Sequence, residues 1–108
     1  MNIPALTSIE DLELIPDVVK ITYRLPNGPT IVDGEERRWA IRKLDITYGR
    51  ERHTWWEVTG YLVKRDGSVS EHRTRDFNRY HGLSAQLVAR FDRIVNAILP
   101  EWAAPCSD

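Results

Sequence analysis

The segment from Thr54 to Phe77 constrains the fold more than any other part of this 108-residue chain. Its middle, Lys64-Arg65-Asp66-Gly67-Ser68, suits a three-residue hairpin loop with Gly67 in the left-handed position of a type I turn plus bulge. Pairing Lys64 with Ser68 sets the register outward: Val63 with Val69, Tyr61 with Glu71, Thr59 with Arg73, Glu57 with Arg75 and Trp55 with Phe77. One face then holds an opposite-charge pair, an aromatic pair and a β-branched pair, each a favourable cross-strand neighbour. The other face carries Trp56, Val58 and Leu62. A sheet with aromatic and basic residues on its non-core face is built either to be covered or to bind something.

The second strong signal is a helix over Leu83 to Leu99. At about 100° per residue, Leu83, Leu87, Val88, Phe91, Ile94, Val95, Ile98 and Leu99 fill a stripe about 160° wide. Such a helix buries one face against a sheet, and Pro100 stops it. Upstream, Asp17 to Leu25 alternates as a half-buried strand, with Val19, Ile21, Tyr23 and Leu25 on one side. Pro26-Asn27-Gly28-Pro29 is a turn. Thr30 to Glu36 is ambiguous, because Ile31 and Val32 extend a strand while Asp33-Gly34 signals another turn. Arg37 to Tyr48 reads as a long strand, with Ala40, Leu44, Ile46 and Tyr48 on one side and Trp39, Ile41, Lys43, Asp45 and Thr47 on the other. Thr7 before Glu10, and Ser8 before Asp11, resemble a capping box and predict a short helix over 8–14.

The sum is an α+β fold: an antiparallel β-meander of three to four strands packed by a C-terminal α-helix, with a short N-terminal helix. Residues 1–102 form a single globular domain and 103–108 a flexible tail. Core candidates are Val19, Ile21, Tyr23, Leu44, Ile46, Trp56, Val58, Leu62, Leu87, Phe91, Ile94 and Ile98. A chain of this length buries about 65% of its unfolded surface, enough for one core. Its 42% apolar and 29% charged composition is that of an ordinary soluble domain. No apolar run is long enough to span a membrane, and the N-terminus lacks the basic and apolar regions of a secretory signal. A cytoplasmic protein is expected. Arginine outnumbers lysine twelve to three, which points to a GC-rich coding sequence, from a bacterium or one of its phages.

Chemistry-bearing motifs are sparse. His53, His72 and His81 form no ligand pair of metal-site spacing, and Cys106 is the only cysteine. Neither a metal nor a cofactor is expected. Ser70, His72 and Asp76 share a strand face, but residues two apart on a strand stand about 7 Å apart, too far for direct contact. No catalytic residue is assigned, and no enzyme activity is expected.

Charge is unevenly spread. Residues 1–36 carry two basic and seven acidic side chains, and residues 37–79 eleven basic and six acidic. This asymmetry suits either a polyanion surface or an acidic segment packed over a basic sheet. The candidate binding residues are Trp39, Lys43, Trp55, Tyr61, Arg73, Arg75 and Phe77, flanked by Arg50, Arg52 and Arg79. Trp, Tyr and Arg are the usual anchors of protein interfaces. Glu57, Glu71 and Asp45 on the same face repel a nucleic-acid backbone. The expected function is a small protein-binding accessory or inhibitor module, docking on a protein partner or its own copy. The alternative is nucleic-acid binding through the same basic sheet face. A meander followed by a helix is similar in architecture to the AP2-like and arm-type DNA-binding domains of phage integrases. No stretch of this sequence matches a motif of those families.

Overall fold

The computed structural model describes residues 18–106. Five strands and a helix follow in order: β1 (Val18–Arg24), β2 (Thr30–Val32), β3 (Arg38–Gly49), β4 (Trp55–Val63), β5 (Val69–Asn78) and α1 (Ala85–Ala97). The strands form one antiparallel sheet in the order β1-β3-β4-β5, and β2 pairs with the start of β3. The architecture is therefore α+β with five strands, not three to four. The additional strand is β2, three residues long, which the turn residues around it obscure. The helix expected over 8–14 lies outside the described residues. No helix among the described residues is long and apolar enough to cross a membrane.

The hairpin loop forms as its residues dictate. Lys64 N–H donates to the Ser68 carbonyl at 2.8 Å, Val63 pairs with Val69, and Gly67 has φ 88°. Beyond that pair the register breaks. Leu62 of β4 stands opposite four residues of β5, Ser70 to Arg73, and pairing resumes with Tyr61 opposite Thr74. Thr59 then faces Asp76, Gly60 faces Arg75 and Val58 faces Phe77. The insertion is an odd number of residues, so it exchanges the two faces of β5. Ser70 is buried and holds the bulge, accepting from the backbone N–H groups of His72 (3.3 Å) and Arg73 (3.0 Å).

A second bulge, at Arg42, exchanges the faces of β3. Ile41 pairs with Gly60 and Lys43 with Thr59, leaving Arg42 unpaired with β4. Trp39 and Ile41 consequently share the core face with Leu44, Ile46 and Tyr48. The turn between β1 and β2 braces this bulge. Arg42 donates to the Gly28 carbonyl at 3.0 Å, and Ile41 N–H donates to Pro29 at 2.9 Å. A Cβ on Gly28 would lie 2.0 Å from the Ile41 oxygen, so only glycine permits the approach.

Ser84 caps α1, accepting from Leu87 N–H at 3.2 Å. The helix is anchored over β4 by Trp56. The two ring centres of Trp56 and Phe91 are 5.1 Å apart, and the Trp56 indole N–H donates to Asp92 at 2.8 Å. Asp92 in turn accepts from Arg79 at 2.9 Å. Among the expected core residues, Leu44, Ile46, Trp56, Val58 and Phe91 are buried, while Val19, Tyr23, Leu62 and Leu87 are half-buried. Ile21 on β1, Ile94 on α1 and Ile98 at the helix C-cap are exposed. Trp39, Ile41, Tyr48 and Phe77 complete the core. Gly60 sits where Trp39 meets Phe77, and a Cβ added there would lie 2.9 Å from the Trp39 Cβ.

After α1 the chain is hydrogen-bonded back to the body at Ala104 and Cys106. Ala104 bridges to His53 and donates to Gly49 at 2.7 Å, and Cys106 N–H donates to Asn96 at 2.8 Å. Burial, with Asp92 nearby, pushes the Cys106 thiol up to about 11, far from a reactive thiolate.

Candidate functional site

The two bulges divide the candidate binding residues between surfaces. Lys43, Trp55 and Tyr61 stay on the sheet face opposite α1. Trp39 and Phe77 turn inward and meet edge to face, with ring centres 6.3 Å apart. The expected Trp55–Phe77 and Glu57–Arg75 pairs therefore do not form. Arg75 instead lies over the Phe77 ring at 5.3 Å and donates to Asp33 at 3.2 Å. Arg73 faces a groove at the hairpin end. The flanking arginines go to separate places: Arg79 pairs with Asp92, and Arg50 sits 5.5 Å above Trp102. Arg52 lines a small cleft beside Val18.

Asp33 is the organising group on the core side. Its carboxylate accepts from the Trp39 indole (2.9 Å), from Arg37 and Arg75 (3.2 Å each), and from the backbone N–H groups of Glu35 and Arg37. The Trp39 hydrogen bond, then the backbone donors, then the Arg37 charge hold it well below the usual carboxylate range. Asp33 thus satisfies the one polar atom of Trp39 as that ring enters the core.

The opposite face has no helix on it. It carries Lys20, Thr22 and Arg24 from β1, Lys43, Asp45 and Thr47 from β3, Trp55, Glu57, Thr59 and Tyr61 from β4, and Thr74 and Asp76 from β5. Arg38, one residue before the inward-facing Trp39, joins this face, so four cations meet three carboxylates; the face is near electrical balance and its polar groups are partly paired. Asp45 accepts from Thr22, and Asp76 from Thr59 at 3.0 Å. Two aromatic features stand out of this polar field. At one end Trp55 stacks on Tyr80, their ring centres 5.8 Å apart, and Tyr80 is 70% exposed. Toward the other end Tyr61 lies 5.8 Å from the Lys43 ammonium. Six residues of strand place the two features about 20 Å apart.

Both bulges feed the Tyr61 end. Arg42 from the β3 bulge, Ser70 and Glu71 from the β5 bulge, and Pro26 from the first turn join Tyr61 and Lys43 around a groove of about 630 Å³. Bulges at a sheet rim commonly re-aim side chains in this way. Tyr80 is not among the sequence candidates. Its signal is a lone aromatic in the polar stretch Arg79-Tyr80-His81-Gly82, where no core position calls for one.

No group of three His, Cys, Asp or Glu side chains among the described residues could hold a metal ion. Ser70 Oγ is occupied by the bulge, and Asp76 by Thr59. No family model matches the chain, and neither a curated protein nor a solved structure matches it.

Proposed function

We propose that this protein is a small, non-enzymatic docking module of the cytoplasm that binds a protein partner through the helix-free face of its sheet. The observation that carries the reading is the Trp55–Tyr80 stack. Two large rings lie together on a face with no packing element over it among the described residues. Exposed aromatic pairs of this kind serve as interface anchors, and a central anchor is worth about 2 kcal/mol or more. A row about 20 Å long, from Trp55 to Tyr61, is of the scale that a strand or short helix of a partner covers.

The balance of charge on this face favours protein over nucleic acid. Lys20, Arg24, Arg38 and Lys43 are largely offset by Asp45, Glu57 and Asp76, whereas a phosphate-binding surface is strongly positive. The two arginines expected to supply the excess, Arg73 and Arg75, point elsewhere. Affinity capture from host lysate, with the wild type compared against Trp55→Ala and Tyr61→Ala, tests the reading. A partner retained by the wild type and lost by both variants, with melting temperatures within a few degrees, is the expected result. A partner retained equally by all three would refute the face as the docking surface.

A further inference from the structure

At the hairpin tips the sheet ends in a groove of about 640 Å³. One wall comes from the turn between β2 and β3, through Arg37 and Arg38. The other comes from the β4–β5 loop, through Lys64 and Arg65. Arg73 enters from the β5 bulge. Arg37 is spent on Asp33 and Glu35. Arg38, Lys64, Arg65 and Arg73 form no ion pair among the described residues. Glu36 is the one carboxylate in the lining.

We infer that this groove binds the sugar-phosphate backbone of a nucleic acid. Lys64 is partly offset by Asp66 on its own loop, but four cations with no ion pair among the described residues still crowd one short slot, and a ligand that brings several closely spaced negative charges relieves their repulsion. Three of the four are guanidinium groups, whose planar forks match phosphate oxygens. The slot lies between two protruding hairpin tips, a shape that admits a chain laid lengthwise. Its rim offers no aromatic anchor, and its apolar floor is confined to Leu62 and Val63, so it lacks the hydrophobic centre of a protein interface. Nothing here specifies sequence, because backbone contacts position a nucleic acid without reading its bases. The groove lies at the hairpin end of β4, seven residues or about 23 Å along the strand from Trp55, so this binding is separate from the Trp55–Tyr80 anchor proposed above.

The test is fluorescence anisotropy of the full chain with a labelled mixed-sequence oligonucleotide, single-stranded and duplex, over about 50 to 200 mM salt. The expected result is binding at low salt whose logarithm falls with the logarithm of salt at a slope of about −2 to −4, as two to four phosphates are neutralised. Arg65→Glu with Arg73→Glu should weaken it about tenfold or more, and Arg38→Gln with Lys64→Gln should lower the slope. Both pairs are surface changes, so circular dichroism melts should stay near the wild type. Trp55→Ala should leave the oligonucleotide affinity unchanged. Absence of binding at the lowest salt would overturn the inference. So would indifference to both groove variants, loss of binding in Trp55→Ala, or equal affinity for polyglutamate, which would make the groove a site for acidic protein segments.

Discussion

Trp55 and Trp56 are neighbours in the chain and opposites in the fold. Trp56 is 1% exposed, packed at a tilt against Phe91 and bonded through its indole to Asp92. Trp55 is 37% exposed, and its ring partner is Tyr80, itself on the surface. The same side chain is thus structural on one face of β4 and available on the other. What separates them is only the alternation of the strand and the placement of α1 on one side. A surface that keeps two large rings outside the core gives up the burial energy they would otherwise contribute. That is the physical basis for the proposal that the helix-free face is a recognition surface.

Substitutions should show this difference on a graded scale. The largest effect belongs to Trp56→Ala, which empties the centre of the helix–sheet contact and leaves Asp92 with Arg79 alone. A loss of about 3–5 kcal/mol is expected in denaturant unfolding. A smaller value would mean that α1 is held elsewhere. Next comes Gly28→Ala, which presses a methyl group on the Ile41 carbonyl and disturbs the Arg42 bulge that sends Trp39 inward. About 1–3 kcal/mol is expected, together with a change in near-ultraviolet circular dichroism as the Trp39–Phe77 contact loosens. If Gly28→Ala is neutral, the bulge is not braced by the turn. Smaller still is Ser70→Ala. It removes the acceptor for two backbone N–H groups at the β5 bulge and should cost about 1 kcal/mol. Hydrogen exchange at His72 and Arg73 should speed up in this variant, while exchange in β3 should not.

The bulges also explain how much of the molecule is legible in the sequence. The β4–β5 turn is readable because Gly67 occupies a left-handed position that few other residues tolerate, and Val63 does pair with Val69. The C-terminal helix is readable from its periodicity, although it runs only from Ala85 to Ala97, between the Ser84 cap and Ile98. The face of Trp39 is not, because a single alternation drawn through Arg42 puts that ring on the wrong side. The sign of a slip lies in the phase: Trp39 and Ile41 alternate, as do Leu44, Ile46 and Tyr48, but Leu44 follows Ile41 by three positions instead of two. The β5 bulge leaves no such trace. Ser70, Glu71, His72 and Arg73 are all polar, so nothing in their order marks where pairing is suspended. That one silent insertion moves Phe77 into the core and takes Arg73 and Arg75 off the face where Lys43, Trp55 and Tyr61 remain.

The claim that the two faces have different work rests on Trp55 being dispensable for folding. Denaturant unfolding of Trp55→Ala beside Trp56→Ala measures this directly. A loss below about 1 kcal/mol for Trp55→Ala, as for surface changes generally, against several kcal/mol for Trp56→Ala, is the predicted outcome. Comparable losses of about 3 kcal/mol or more in both would contradict it, because Trp55 would then be part of the structure and not of a docking surface.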